Sequence, residues 1–178
     1  MTQSVELLLD PVAEAAVERE WEALHAAALP SEVRAPPVGS HRPHLTLYAG
    51  AEITAETDDL LARLVADLRL DVQLGALTLF GPARGSYVLV HAVVPTVGLL
   101  ELQRAVAQAC GADRGGYFAP GRWTPHVTLA RRMAAEQLPG ALAVLRHCSG
   151  VGQQVHITSC RRWDSAARQT WLLSPFAA

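Results

Sequence analysis

Pro43-His44-Leu45-Thr46-Leu47 and Pro125-His126-Val127-Thr128-Leu129 repeat one pattern, Pro-His-aliphatic-Thr-Leu, at an interval of 82 residues. Alternate side chains of a β-strand share a face. Each copy therefore turns a histidine and a threonine hydroxyl one way and sends the aliphatic residue and the leucine to the other, core side. Two such strands facing one another would gather two imidazoles and two hydroxyls around one small space. An imidazole has an ordinary pKa of about 6.5, so near neutral pH one ring can be protonated while its twin is neutral. In-line hydrolysis of a phosphodiester needs that combination: a base takes the proton of the attacking water and an acid protonates the departing oxygen. The threonine hydroxyls can donate to the non-bridging phosphate oxygens. Entering and leaving oxygens stand opposite each other on phosphorus, which suits a duplicated pair, and the scheme calls for no metal and no other cofactor. One such pentapeptide is expected on the order of once in several thousand chains of this length; two at equivalent places exceed what composition supplies.

The elements that must position the motifs also come twice. Residues 4–9 read as a strand, and Asp10-Pro11 opens a helix with an acidic N-cap and proline at the first position. That helix is predicted to run to about residue 28, burying Val17, Trp21, Leu24 and Ala28. A proline-bearing loop (Pro30, Pro36, Pro37) leads to the first motif strand, 43–49. Thr54 caps a second helix to about residue 69, with Leu60, Leu61, Leu64, Val65 and Leu68 inward, and strand 72–80 ends in a turn over 81–85. The order then begins again. Strand 86–94 is followed by a helix capped by Thr96, with Leu99, Leu102, Val106 and Ala109 inward, and by a glycine-rich loop. The second motif strand, 124–131, comes next, then a short helix at 139–147 and closing strands at 152–160 and 168–174. Ser4 lies as far before His44 as Ser86 before His126. The expected fold is α+β: one domain over 1–178, built from two pseudo-symmetric units (about 1–81 and 82–178). Each unit is an antiparallel sheet with helices outside, and the site lies in a cleft between them. Two copies are too few for a solenoid.

Composition narrows the chemistry. All 15 basic residues are arginine; lysine and asparagine are absent. Without lysine there is no lysyl-nucleotide intermediate, Schiff base or Walker P-loop. The net charge of −2 conceals an asymmetry. Residues 1–71 hold 13 acids against 5 arginines, and residues 72–178 hold 4 acids against 10. An acidic chain is a poor non-specific nucleic-acid binder, but the second half could hold a phosphate or a short RNA end. No run of about 18 apolar residues predicts a membrane span. The first residues lack the basic stretch of a secretory signal. Three cysteines (Cys110, Cys148, Cys160) without metal-ligand spacing fit a reducing cytoplasm.

The doubled His-x-Thr, its interval and the duplicated α/β units resemble the 2H phosphoesterase superfamily, and within it the 2′-5′ RNA ligase / 2′,3′-cyclic phosphodiesterase family. The resemblance spans nearly the whole chain, although its specific motifs are the two pentapeptides. It implies a bilobal fold that opens 2′,3′-cyclic phosphates to 2′-phosphates without a cofactor, and in some relatives a 2′-5′ joining of RNA ends. It assigns His44 and His126 as the acid/base pair, the first as acid and the second as base, with Thr46 and Thr128 as phosphate donors. The residues by themselves leave acid and base interchangeable. Arg131, three after Thr128, matches a basic residue found after the second motif in relatives. The implied partner is an RNA terminus or a small nucleotide with a cyclic phosphate, bound by a monomer with no metal and no membrane.

Further candidates flank the motifs. Arg42 and Arg122, in the loops entering the motif strands, are placed to meet phosphate. Trp123, Tyr48, Tyr117 and Phe118 offer aromatic faces to a base. His41 is expected in solvent, and His25, His91 and His147 are read as structural. Arg161 and Arg162 are read as surface residues, and His156-Ile157-Thr158 as an accident of strand composition. Two other readings remain. A binding module of the same fold would grip nucleotide without turnover. A metallohydrolase would use the histidines as ligands, although neither motif carries a carboxylate at ligand spacing.

Overall fold

A computed structural model describes residues 2–34, 39–66 and 69–175. Each motif strand alternates as its sequence requires. Leu45, Leu47, Val127 and Leu129 are fully buried, while His44, Thr46, His126 and Thr128 remain partly open on the opposite face.

Among the described residues, seven strands and four α-helices carry this pattern. They are β1 (Gln3–Leu9), α1 (Pro11–Ala26), β2 (His44–Gly50), α2 (Ala55–Val65), β3 (Asp71–Ala83), β4 (Ser86–Val93), α3 (Val97–Ala109), β5 (His126–Met133), α4 (Leu138–Leu145), β6 (Gln154–Asp164) and β7 (Gln169–Pro175). A single 3₁₀ turn, Ala135–Gln137, precedes α4. The starts of α1, α2 and α3 are those their capping residues dictate. Asp10 Oδ1 accepts from the backbone N–H groups of Val12 and Ala13, both at 2.9 Å. Thr54 and Thr96 cap α2 and α3 through the N–H groups of Thr57 and Leu99.

The strands are antiparallel in the order β1-β2-β5-β4-β3-β6-β7, and β1 also pairs with β6, so the first six close on themselves. Two extended sheets result, β2-β1-β6-β7 and β5-β4-β3. They are joined through the Leu45↔Val127 pair and through the short ladder of residues 71–73 with 154–156. β3, from the first half of the chain, thus lies beside β4. The helices cross over as well: α1 packs on α4 and β5, and α3 on α2 and β2. The fold is α+β, with a hydrophobic core of strand aliphatics and helix residues that include Val17, Trp21, Leu24, Leu61, Leu99 and Val106.

Some expectations need correction. α1 stops at Ala26 because Ala28 adopts a left-handed φ of 55° and Leu29 N–H bonds back to the Leu24 carbonyl. Ala28 is therefore exposed instead of buried. In α2 only Leu61 and Val65 are buried, and Leu60 and Leu64 face solvent, because the helix, packed on α3 and β7, turns one narrow stripe inward. Leu68, Pro36 and Pro37 lie outside the described residues. β3 runs through the expected turn to Ala83. The reversal falls on Arg84 and Gly85, whose positive φ values (52° and 80°) match the twist of a two-residue hairpin.

Candidate active site

The Leu45↔Val127 register is what brings the motifs together. In an antiparallel pair it sets His44 across from Thr128 and Thr46 across from His126, all on the face away from the core. His44, Thr46 and His126 line one groove of about 490 Å³. Thr128 lies in a small recess beside His44, closed by Trp21, Glu32, His41 and Arg131.

Both imidazoles are oriented by the same local device. His44 Nδ1 lies 2.7 Å from the Arg42 carbonyl, and His126 Nδ1 lies 2.8 Å from the Thr124 carbonyl, each two residues upstream. A carbonyl only accepts, so Nδ1 carries a proton in each ring and Nε2 is the nitrogen that exchanges one. The threonine backbones are tied as well. Trp21 Nε1–H donates to the Thr128 carbonyl and Trp123 Nε1–H to the Thr46 carbonyl, each at 3.0 Å. Trp123, expected to meet substrate, is buried and anchors the opposite motif strand, although it also borders a second cavity.

The two rings sit in unlike surroundings. His126 meets the edge of Phe80, with ring centroids 4.8 Å apart and planes at 88°. Burial holds its pKa below the ordinary imidazole value; the Thr124 carbonyl opposes this, and the charges of His44 and Arg131 add to the depression. His44 faces Glu6, whose Oε1 is 3.6 Å from His44 Nε2. Burial raises the Glu6 pKa, but His44, Arg161 and the Ser4 hydroxyl outweigh it and hold the carboxyl below its usual range.

Of the other expected residues, Arg131 lines the groove and is half-exposed, its Nη1 3.4 Å from Glu32 Oε2. Arg42 does not reach the groove: its guanidinium makes a two-pronged ion pair with Glu14 of α1 and lines depressions outside it. Arg122 and Tyr117 flank a second cavity of about 760 Å³ on the far side of His126, walled by Phe80, Phe118, Trp123 and Val88. Phe118 and Arg131 border both spaces. His41, expected in solvent, stacks on Trp21 (centroids 5.2 Å apart) and bonds the Glu32 carbonyl through Nε2. Arg161 and Arg162, expected on the surface, are both buried. Alternation along β6 turns Arg161 into the groove against Glu6, and Arg162 to the other face against Asp58 and Gln3. His156 is exposed and bonded to Asp71, and Thr158 donates to backbone carbonyls of β1, so neither lines the groove.

Sequence reasoning missed Glu6, Glu32, Arg34 and Arg161 in the groove. Glu6 did leave a signal, an acid inside an apolar strand run. Glu32 left none, because its role depends on Arg34, His41 and Arg131 meeting around it. Among the described residues no three His, Cys, Asp or Glu side chains gather as a metal-ligand set.

The family model described as the 2′-5′ RNA ligase superfamily matches residues 11–162. No curated protein matches the chain. Among solved structures, TT0787 of Thermus thermophilus superposes with a TM-score of 0.59 at 19% identity, covering 99% of this chain and 97% of its own. E. coli LigT complexed with 3′-AMP gives 0.55 at 19% identity, over 98% and 94%. Usb1 of Kluyveromyces marxianus gives 0.56 at 11% identity, over 98% of each chain. At these identities the likeness concerns the fold.

Proposed function

Because the chain belongs to the 2′-5′ RNA ligase superfamily, we propose that it is a phosphoesterase that opens 2′,3′-cyclic phosphates at RNA ends or on nucleotides to 2′-phosphates by two-histidine acid/base catalysis. One observation carries this reading. The two motif imidazoles have Nδ1 tied to the chain two residues upstream, which leaves Nε2 of each to exchange a proton, and both rings line one groove together with Thr46. The solved LigT structures with 3′-AMP, ATP and NADP+ bound are consistent with a nucleotide ligand for this fold.

The steps follow from the unlike surroundings. His126, kept neutral by burial, takes the proton of a water through Nε2 as the water oxygen bonds to phosphorus. The P–O3′ bond breaks on the opposite side, and the departing oxygen takes the proton of His44 Nε2. The product is a 2′-phosphomonoester with a free 3′-hydroxyl; His126 ends protonated and His44 neutral, and exchange with water restores both. Thr46 and Thr128 donate to the non-bridging oxygens, and Arg131 adds positive charge at the rim. A 5′-hydroxyl in place of water would give a 2′-5′ phosphodiester through the same transfers.

The test is incubation with nucleoside 2′,3′-cyclic monophosphates in excess chelator, with separation of the 2′- and 3′-phosphate products. Chelator-resistant release of the 2′-phosphate is expected. Wild-type protein no faster than the doubly substituted His44→Ala/His126→Ala chain would overturn the reading. Saturable nucleotide binding without turnover would mark a binding module.

A further inference from the structure

Glu6 stands where an acid is costly. It lies mid-strand in β1 between the fully buried Val5 and Leu7 and is itself only 3% exposed. A buried carboxylate persists only when its charge is compensated. Three side chains do so from separate directions. Ser4 Oγ donates to Oε1 at 2.6 Å, Arg161 Nε donates to Oε2 at 2.8 Å, and His44 Nε2 lies 3.6 Å from Oε1. The backbone builds the row: Glu6 is registered against Thr46 of β2 on one side and Arg161 of β6 on the other, just after a register shift at Val5/Glu6.

Among the described residues, no carboxylate pairs with the second histidine. Around His126 stand the Phe80 ring, Arg131 and His44. Among the described residues, the remaining charged groups near His44 are Glu32, Arg34 and His41 of the preceding loop, Arg161 of β6, and His126 and Arg131 of β5. Glu32 is engaged with Arg34, His41 and Arg131. Among the described residues, Glu6 is therefore the carboxylate paired with His44. This breaks the symmetry of a duplicated motif.

We propose that Glu6 is a positioning residue: its carboxylate, fixed by Arg161 and Ser4, faces His44 Nε2 and favours a positive charge on that ring over one on His126, so that the acid's role falls to His44 and the base's to His126. The inference rests on reading the two motif histidines as the reacting pair. Glu6 itself makes and breaks no bond. After His44 has given its proton to the departing oxygen, the carboxylate favours recharging of that ring over the other.

Glu6→Gln removes the charge and keeps the size. An NMR titration of the histidine rings reads the proton directly and without substrate, with His44 and His126 signals assigned by their loss in His44→Ala and His126→Ala. In Glu6→Gln the His44 midpoint is expected to fall by about one pH unit, while that of His126 stays in place. Arg161→Gln leaves the carboxylate with His44 as its nearest cation, and the His44 midpoint is expected to rise. If Glu6→Gln does not fold, Arg161→Gln carries the test with the sign reversed. An unmoved His44 midpoint in a folded variant, or a shift shared equally by His126, overturns the proposal. With a cyclic phosphate as substrate, the alkaline limb of the pH–rate profile should move down in Glu6→Gln and the acid limb stay, costing about tenfold in turnover above the midpoint. Wild-type protein that turns over no cyclic phosphate would count against the proposed activity and leave the titration result standing.

Discussion

Single substitutions separate the two halves of the proton transfer. Under the proposed function His44→Ala would remove the donor to the departing oxygen and His126→Ala the acceptor from water; each is expected to lower turnover of a 2′,3′-cyclic nucleotide by about 10²–10⁴-fold with the fold intact. Thr46→Val keeps the strand shape and deletes one donor to the phosphate, for an expected loss of about 10²-fold in kcat, the lower end for one such donor. The pH dependence has a definite sign on its acid side. His126 works as a base only when neutral, and burial, supplemented by His44 and Arg131, lowers its pKa. Activity should therefore persist as the solution falls below the ordinary imidazole midpoint of about 6.5, and disappear only as pH drops through the depressed value. A profile of kcat/KM against pH checks this: an acid limb at or above about 6.5 would contradict it.

At the scale of elements, the motif strands are held by indoles from outside their own sheets. Trp21 reaches from α1 to the Thr128 carbonyl, and Trp123 from the loop before β5 to the Thr46 carbonyl. Phenylalanine at either position keeps most of the packing and leaves that carbonyl without its donor. Each change should cost about 1–3 kcal/mol in urea unfolding. The tryptophans at these positions were visible as a helix-face residue and a strand-entry residue. Their shared task was not, because a donor and acceptor 107 or 77 residues apart meet only through tertiary packing. Arg42 shows the same limit from the other side. Its place two residues before His44 suggested phosphate, but the strand entry aims it at Glu14 on α1.

Across the whole molecule, one buried pair joins parts that are distant in sequence. His91 of β4 and Glu20 of α1 are both fully buried, with His91 Nε2 2.9 Å from Glu20 Oε2, and Glu20 Oε1 also accepts from Gly150 N–H at 2.7 Å. The pair thus links the first helix, the β5-β4-β3 sheet and the loop before β6. Glu20→Ala strands an imidazole and an N–H in the core, and should destabilise the fold by about 3–5 kcal/mol. Since neither residue borders the groove, turnover per folded molecule should be unchanged. Denaturant unfolding beside an active-site-normalised rate distinguishes this from a catalytic effect.

The chain's own order of residues singled out the candidate site side chains and determined which way they face. Period-two alternation alone turns His44, Thr46, His126 and Thr128 off the core, and capping residues start α1, α2 and α3. Strand partnership was another matter. Nothing local pairs β2 with β5 through a single residue couple, sets Arg161 beside Glu6, or gathers Arg34, His41 and Arg131 on Glu32. These are contacts between segments that local propensities cannot specify. They decide what the repeat leaves open: two like motifs become unlike sites because one imidazole lies against a buried carboxylate and the other against an aromatic edge.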